Sequence, residues 1–179
     1  MRNRKYLNAY TFQNVTGSDG RLHTIAIYTG STFYFRAKPE KLRRSKIACA
    51  CAALVCCAAV LVPLIIITPV IRVWYVMLPL ILALLPVLEI SLCVGRALAA
   101  KKPVTREQKD RIDGRLAPWS IALLALSALS IIGQAVYYIR SGFLSGDLPV
   151  SVCTLVLAAA AAFLLAERGA FKMDGDAPD

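Results

Sequence analysis

Four long runs of apolar residues dominate the chain, and Glu89 is the only charged residue inside them. The runs cover residues 47–70, 73–95, 118–139 and 149–166. At about 1.5 Å per residue, helical runs of this length suit a hydrocarbon layer that is about 30 Å thick. The pattern therefore predicts a domain of four transmembrane helices over residues 46–167.

The short intervals between these runs predict two helical hairpins. Ile71 and Arg72 alone separate the first run from the second, and Pro69 marks the turn. Residues 140–148 link the third run to the fourth. The predicted fold class is an all-α membrane protein with four transmembrane helices in two hairpins, preceded by a small N-terminal β element.

That β element is predicted from residues 5–37, where apolar and polar side chains partly alternate and Tyr, Phe, Ile and Thr are frequent. The turn sequences TGSDG and TG separate three such stretches, which indicates an antiparallel β-meander. We assign it to a cytoplasmic region of residues 1–45 that ends in a basic linker. Three short strands bury little apolar area, so the meander needs a partner: the connection 96–117, a second copy, another protein or the lipid surface.

The two remaining polar segments differ in character. The connection 96–117 is basic, and the spacing of Thr105 and Gln108 is typical of a helix cap, so a short helix and an irregular loop are both open interpretations. Residues 168–179 end in an acidic stretch with Gly and Pro and are predicted to form a disordered tail.

Lys and Arg residues are unevenly distributed among the segments outside the runs. Ten precede the first run, seven lie within residues 96–117 and two follow Ala166, whereas the other two links hold only Arg72 and Arg140. The side enriched in Lys and Arg is normally cytoplasmic. We therefore expect a multi-pass protein of the cell membrane, plasma or inner, with both termini in the cytoplasm.

The formal net charge of +10 raises the question of nucleic-acid binding. Because the basic residues flank apolar runs, anionic lipid headgroups explain them better than a phosphate backbone does. We expect no nucleic acid, and as partners the anionic bilayer surface together with another protein or further copies of this chain. The candidate contact residues are Arg43, Arg44, Lys46, Lys101, Lys102, Arg106, Lys109 and Arg111.

Glu89 is a candidate functional residue because an ionisable group inside a span must face the bundle interior, be protonated or be paired. In the functional interpretation it is a proton or cation site of a transporter. The structural interpretation has two forms. Either Glu89 is a neutral acid that is hydrogen-bonded to Ser127, or its charge is neutralised by Arg96, which lies two turns away on the same helix.

The third run also carries a polar stripe. Ser120, Ser127 and Gln134 recur every seven residues, and Ser130 lies close to the same face. In hydrocarbon such a stripe turns toward other helices. Gln134 and Ser127 are therefore further candidates, either as interhelical hydrogen-bonding groups or as the lining of a polar path.

The sequence contains no catalytic or metal-binding motif that we recognise. His23 is the only histidine, which excludes HExxH-type zinc sites, and no nucleophile elbow, P-loop or dinucleotide fingerprint occurs. The six cysteines lie inside the apolar runs without CxxC spacing. We expect no catalytic residue, metal or cofactor.

Three hypotheses for function follow. The first is a non-catalytic membrane subunit or regulator that binds a cytoplasmic partner. The alternative is a small proton- or cation-coupled transporter that uses Glu89. The third is a membrane enzyme, for which only the basic connection offers several polar groups at one interface.

Overall fold

A computed structural model of the chain describes residues 10–16, 22–30, 32–66, 68–100, 104–142 and 145–174. The helices are α1 (Pro39–Ile65), α2 (Trp74–Leu82), α3 (Leu84–Ala99), α4 (Arg106–Ser141) and α5 (Leu148–Glu167). The strands are β1 (Tyr10–Thr16), β2 (Leu22–Tyr28), β3 (Thr32–Phe35), β4 (Val104–Thr105) and β5 (Met173–Asp174). Short 3₁₀ helices lie at Val70–Arg72, Ser145–Asp147 and Arg168–Phe171.

The helical segments account for the four apolar runs. Pro39–Ile65, Trp74–Ala99, Arg106–Ser141 and Ser145–Phe171 are each long and apolar enough to cross a membrane. Large side chains such as Leu54, Ile65 and Ile132 are exposed on their outward faces. Helices that are apolar on all sides are typical of a lipid environment. The prediction of four membrane-length helices is confirmed.

The second of these segments is interrupted at Ala83, between α2 and α3. Pro86 has no N–H and therefore cannot donate the helical hydrogen bond to the carbonyl of Leu82. Helical bonding continues on both sides, since Ala83 N–H donates to Pro79 O at 2.9 Å and Val87 N–H donates to Ala83 O at 3.1 Å. The proline thus interrupts the segment without ending it.

The helices pack as an antiparallel bundle. α1 packs against α3 and α5, and α4 packs against α2, α3 and α5. The two hairpin turns meet at one end, which we call the turn end, where the N–H of Val70 donates to Asp147 Oδ1 at 3.3 Å. At the opposite end, which we call the basic end, Ser45 near the start of α1 donates a short hydrogen bond to Glu167 at the end of α5.

β1 and β2 form a two-stranded antiparallel hairpin. Its register runs from Tyr10 opposite Tyr28 to Thr16 opposite Leu22. The first two strands of the expected meander therefore pair as predicted, and residues 17–21 between them lie outside the described residues.

The third strand of the expected meander is placed differently, and that part of the prediction is wrong. β3 belongs to a separate sheet of order β4-β3-β5, in which Phe35 lies opposite Met173. Phe35 and Met173 are buried together with Leu42 and Phe171. Packing of these side chains against the basic end removes their apolar area from water. As a third strand on the β1–β2 hairpin, β3 would bury less apolar area. We call this sheet the cap.

The first part of the predicted disordered tail, residues 168–174, has regular secondary structure instead. Arg168–Phe171 form a 3₁₀ helix and β5 follows. Phe171 and Met173 are almost fully buried, so their apolar side chains hold this segment against the basic end. Residues 175–179 lie outside the described residues.

The connection 96–117 contains β4 and the beginning of α4. Thr105 Oγ1 accepts from the N–H of Gln108 at 3.4 Å, and Gln108 Oε1 accepts from the N–H of Thr105 at 3.3 Å. This reciprocal capping box starts α4 at Arg106. A helix was one of the two interpretations of this connection, and it is present as the first part of α4. The helix runs without interruption through Pro118 into the third apolar run.

Candidate functional site

α3 and α4 bring Glu89 and Arg115 together. Arg115 Nη1 donates to Glu89 Oε2 at 3.3 Å, and the Arg115 and Glu89 side chains are 52% and 30% exposed. Of the three expected states of Glu89, the structure therefore shows a paired one. The partner is neither of those expected from the sequence, and the hydroxyl of Ser127 donates instead to Leu124 O at 2.9 Å.

This pair determines what Glu89 can do chemically. A guanidinium at hydrogen-bond distance compensates the carboxylate charge within an apolar, membrane-length segment. It also engages Oε2, one of the two carboxylate oxygens at which a proton or cation could bind. The geometry therefore favours a structural role for Glu89.

Gln134 lies in the buried contact between α4 and α5. Its Nε2 donates to Thr154 Oγ1 at 3.1 Å and approaches Ser130 Oγ at 3.5 Å. Thr154 is fully buried, and its hydroxyl lies 2.9 Å from Ser151 O. An interhelical hydrogen bond of this kind fixes one helix against another in an apolar environment.

The serines of the polar stripe bond within their own helix. Ser120 Oγ donates to Leu116 O at 2.8 Å, as Ser127 Oγ does to Leu124 O at 2.9 Å. Both serines are buried. Since each hydroxyl proton already has an acceptor, this geometry favours helix packing over a polar path.

Asp147 is a buried carboxylate at the turn end that our sequence analysis did not identify. Its side chain is 0% exposed, and Oδ1 accepts from the N–H of Val70. Within the described residues, Asp147 Oδ2 and the buried Oγ1 of Thr68 have no hydrogen-bond partner. The available signal was the position of Asp147 directly before Leu148 and Pro149, because an Asp there is typical of a helix N-cap.

Polar contacts connect the surroundings of Asp147 to the interior of the bundle. The hydroxyls of Tyr138 and Ser151 lie 2.7 Å apart, and Ser151 Oγ is 3.5 Å from the backbone oxygen of Asp147. Through the contact of Thr154 with Ser151, these groups continue to Gln134. The turn end is thus the polar region of an otherwise apolar contact between α4 and α5.

Lys46 and Lys109, two of the predicted contact residues, lie over the aromatic rings of β3. Lys46 Nζ is 5.1 Å from the ring centroid of Phe35, and Lys109 Nζ is 4.2 Å from that of Phe33. Cation–π contacts at exposed sites contribute about 0.5–1 kcal/mol. These lysines therefore help to hold β3 between α1 and α4, in addition to any contact with headgroups.

The other predicted contact residues are only partly described. Arg43, Arg44 and Arg106 are exposed at the basic end. Residues 101–102 lie outside the described residues, and Arg111 is described only by its position in α4.

A cleft of about 370 Å³ opens at the basic end beside the end of α3 and the start of α4. Arg96, Thr105, Glu107 and Gln108 supply its polar lining, and the capping box uses two of these side chains. Among the described residues, no three side chains of His, Cys, Asp or Glu come together as a metal site. Among the described lining residues, the cleft offers one acid and one guanidinium.

No protein-family model, curated protein or solved structure matches the chain. The function is therefore inferred from the arrangement of the residues themselves.

Proposed function

We propose that this protein is a non-catalytic membrane subunit or regulator whose basic end binds a partner protein in the cytoplasm. The observation that carries the proposal is the cap, in which β3 joins the N-terminal region to the connection before α4 and to the segment after α5. Three distant parts of the chain thereby form one ordered surface. Such a surface, held on a rigid bundle, suits recognition of a partner.

The distribution of charge supports this proposal. Every Lys and Arg except Arg72 and Arg140 lies before residue 47, between residues 96 and 115, or after residue 167. Arg43, Arg44 and Arg106 are exposed there. The positive-inside tendency supports a cytoplasmic location for this end in the cell membrane, and the charge favours an acidic partner surface.

Anionic lipid headgroups are a second contact of the same basic end. Near an anionic leaflet each Lys or Arg contributes about 1 kcal/mol of attraction. Headgroup contacts of this kind hold the cap close to the bilayer. The β1–β2 hairpin is not part of the cap sheet and extends the surface that a partner can contact.

Affinity purification of the full chain in mild detergent tests the proposal. We expect one protein to be recovered reproducibly with the native chain and to be lost with the double substitution Arg43→Gln and Arg44→Gln. The matched control is Arg72→Gln with Arg140→Gln, which removes the same charge from two exposed arginines at the turn end. Loss of the partner in both variants, or in neither, contradicts the proposal.

A small proton- or cation-coupled transporter is the second candidate function. The position of Glu89 inside an apolar segment favours it, because ionisable residues in membrane-length helices are rare and often mark transport pathways. Flux measured in proteoliposomes separates the candidates. A transporter should lose pH-coupled flux on Glu89→Gln and keep it on Glu107→Gln, whereas a subunit shows no flux in any form.

A further inference from the structure

Two buried oxygens from different hairpin turns are unpaired at the turn end. Asp147 is 0% exposed and Thr68 is 6% exposed. Within the part of the chain that the structure describes, neither Asp147 Oδ2 nor Thr68 Oγ1 has a hydrogen-bond partner. Because an unsatisfied buried polar group is costly, two of them at one end of a bundle point to a ligand.

The segments that carry these oxygens are in direct contact. Val70, two residues after Thr68, donates its N–H to Asp147 Oδ1 at 3.3 Å. Thr68 O accepts from the N–H of Ile71 at 3.2 Å, so Thr68 belongs to the same tight turn. The first hairpin turn therefore supplies a hydroxyl and the second supplies a carboxylate to a common region.

Among the described residues, no cation pairs with the carboxylate of Asp147. Asp147 directly precedes α5, and a helix N-terminus supplies only a partial positive charge. Arg72 and Arg140 are the cationic residues of the flanking elements, and both are exposed. Among the described residues neither forms an ion pair with Asp147, and the nearby Tyr138 is engaged with Ser151. A buried carboxylate that stays ionised requires a counter-charge.

The chemistry of the two oxygens identifies the class of ion. Carboxylate and hydroxyl oxygens are hard ligands that prefer hard cations over soft metals. A single carboxylate balances a single positive charge, and the described residues contain no cluster of three acids, thiols or imidazoles for a divalent metal. We propose that Asp147 and Thr68 bind an alkali-metal cation such as Na⁺, which links the two hairpin turns.

Thermal unfolding of the full chain in nanodiscs tests this site. The melting temperature should rise saturably with Na⁺ or K⁺ and not with N-methylglucamine at the same ionic strength, because a bulky organic cation cannot reach oxygens that are buried. Thr68→Val removes one ligand oxygen at nearly constant volume. It should weaken the apparent affinity about tenfold, as expected for one lost charge-assisted contact.

Asp147→Asn should abolish the cation response, and Asp110→Asn, which removes an exposed carboxylate at the basic end, should leave it unchanged. If Asp147→Asn does not fold, the Thr68→Val variant still decides the question by the same titration and by binding of radioactive sodium. Equal melting temperatures in all three salts overturn the proposal. A saturable response that Thr68→Val leaves intact also overturns it, since the ion then binds elsewhere.

Discussion

Glu89 shows how one ion pair allows an acidic residue within a membrane-length helix. Its partner Arg115 comes from the neighbouring helix α4, with 3.3 Å between the two charged groups. Both side chains are partly exposed, so solvent or headgroups share in their solvation. Pairs of this kind contribute about 0.2–1 kcal/mol rather than the larger energies of buried pairs.

A double-mutant cycle with Glu89→Gln and Arg115→Gln measures this contribution. We expect a coupling energy below about 1 kcal/mol, determined from unfolding in detergent micelles, because the pair is partly exposed. A coupling above about 3 kcal/mol would show instead that the pair is buried in the assembled protein.

Thr154 should contribute to stability through its hydrogen bond to Gln134. Thr154→Val keeps the volume of the side chain but removes the oxygen that accepts from Gln134 Nε2. We expect a loss of about 0.5–1.5 kcal/mol in the free energy of unfolding in detergent, the usual range for interhelical hydrogen bonds. Ser120→Ala, which deletes a bond within one helix, should lower stability by less, and the reverse order would contradict this assignment.

At this scale the sequence predicted the polar positions of the third apolar run but not the partner of Glu89. Gln134 and Ser127 were identified because a seven-residue spacing defines one helix face. The partner of Glu89 was missed because Arg115 is far along the chain and its proximity arises only when α3 packs on α4. Asp147 was missed because an Asp beside Gly146 looks like a solvated turn, and its burial results from contact with the other hairpin.

At the scale of helices, Gly133 allows α4 to lie close to α2. A Cβ atom at this position would lie 3.0 Å from Tyr75 O and 3.3 Å from Val76 Cγ2. Small residues at such points let two backbones approach each other. The residue adjoins Gln134, so the close contact and the polar contact occupy neighbouring positions of the same helix.

Gly133→Ala should therefore destabilise the bundle although alanine is the better helix former. We expect a loss of about 1–3 kcal/mol in the free energy of unfolding, because the backbone oxygen of Tyr75 cannot move away without shifting α2. Gly95→Ala is the matched control, since nothing lies within 4 Å of its Cβ position, and it should be neutral or stabilise by up to about 1 kcal/mol. Equal effects would contradict a close approach at Gly133.

The helices were predictable because run length and hydropathy are local properties of the chain. The ends of the helices were less predictable. α1 begins at Pro39, eight positions before the apolar run, and hydropathy did not reveal this start because the first turns of the helix are basic and polar. The connection 96–117 was one of the partners expected for the β element, and β4 lies in it. The strands themselves could not be foreseen, since β4 and β5 each contain two residues and alternate too briefly to be detected. Their pairing follows from burial of Phe35 at the end of the bundle.

At the scale of the whole molecule, the antiparallel order brings both terminal segments to one face. Residues before α1 and after α5 pair directly through Phe35 and Met173. An orientation with the basic end in the cytoplasm then requires that the turn end face outward.

Cysteine labelling in cells tests this orientation. A membrane-impermeant maleimide should label Arg140→Cys in intact cells, whereas Thr11→Cys and Lys172→Cys should react only after permeabilisation. All three positions are exposed, so accessibility to the reagent is decided by the membrane. Different behaviour of Thr11→Cys and Lys172→Cys would contradict the fold, and labelling of both in intact cells would invert the orientation.

The late position of β5 has a consequence for biosynthesis. β3 leaves the ribosome before helices α1 to α5, yet its partner residue Met173 is translated only after all of them. Phe35 therefore lacks its partner in β5 until all the helices have been made, and a polypeptide that terminates after residue 167 would never acquire that partner. Chaperones and proteases act on exposed apolar surface. We therefore expect the pairing of β3 with β5 to distinguish full-length chains from truncated ones.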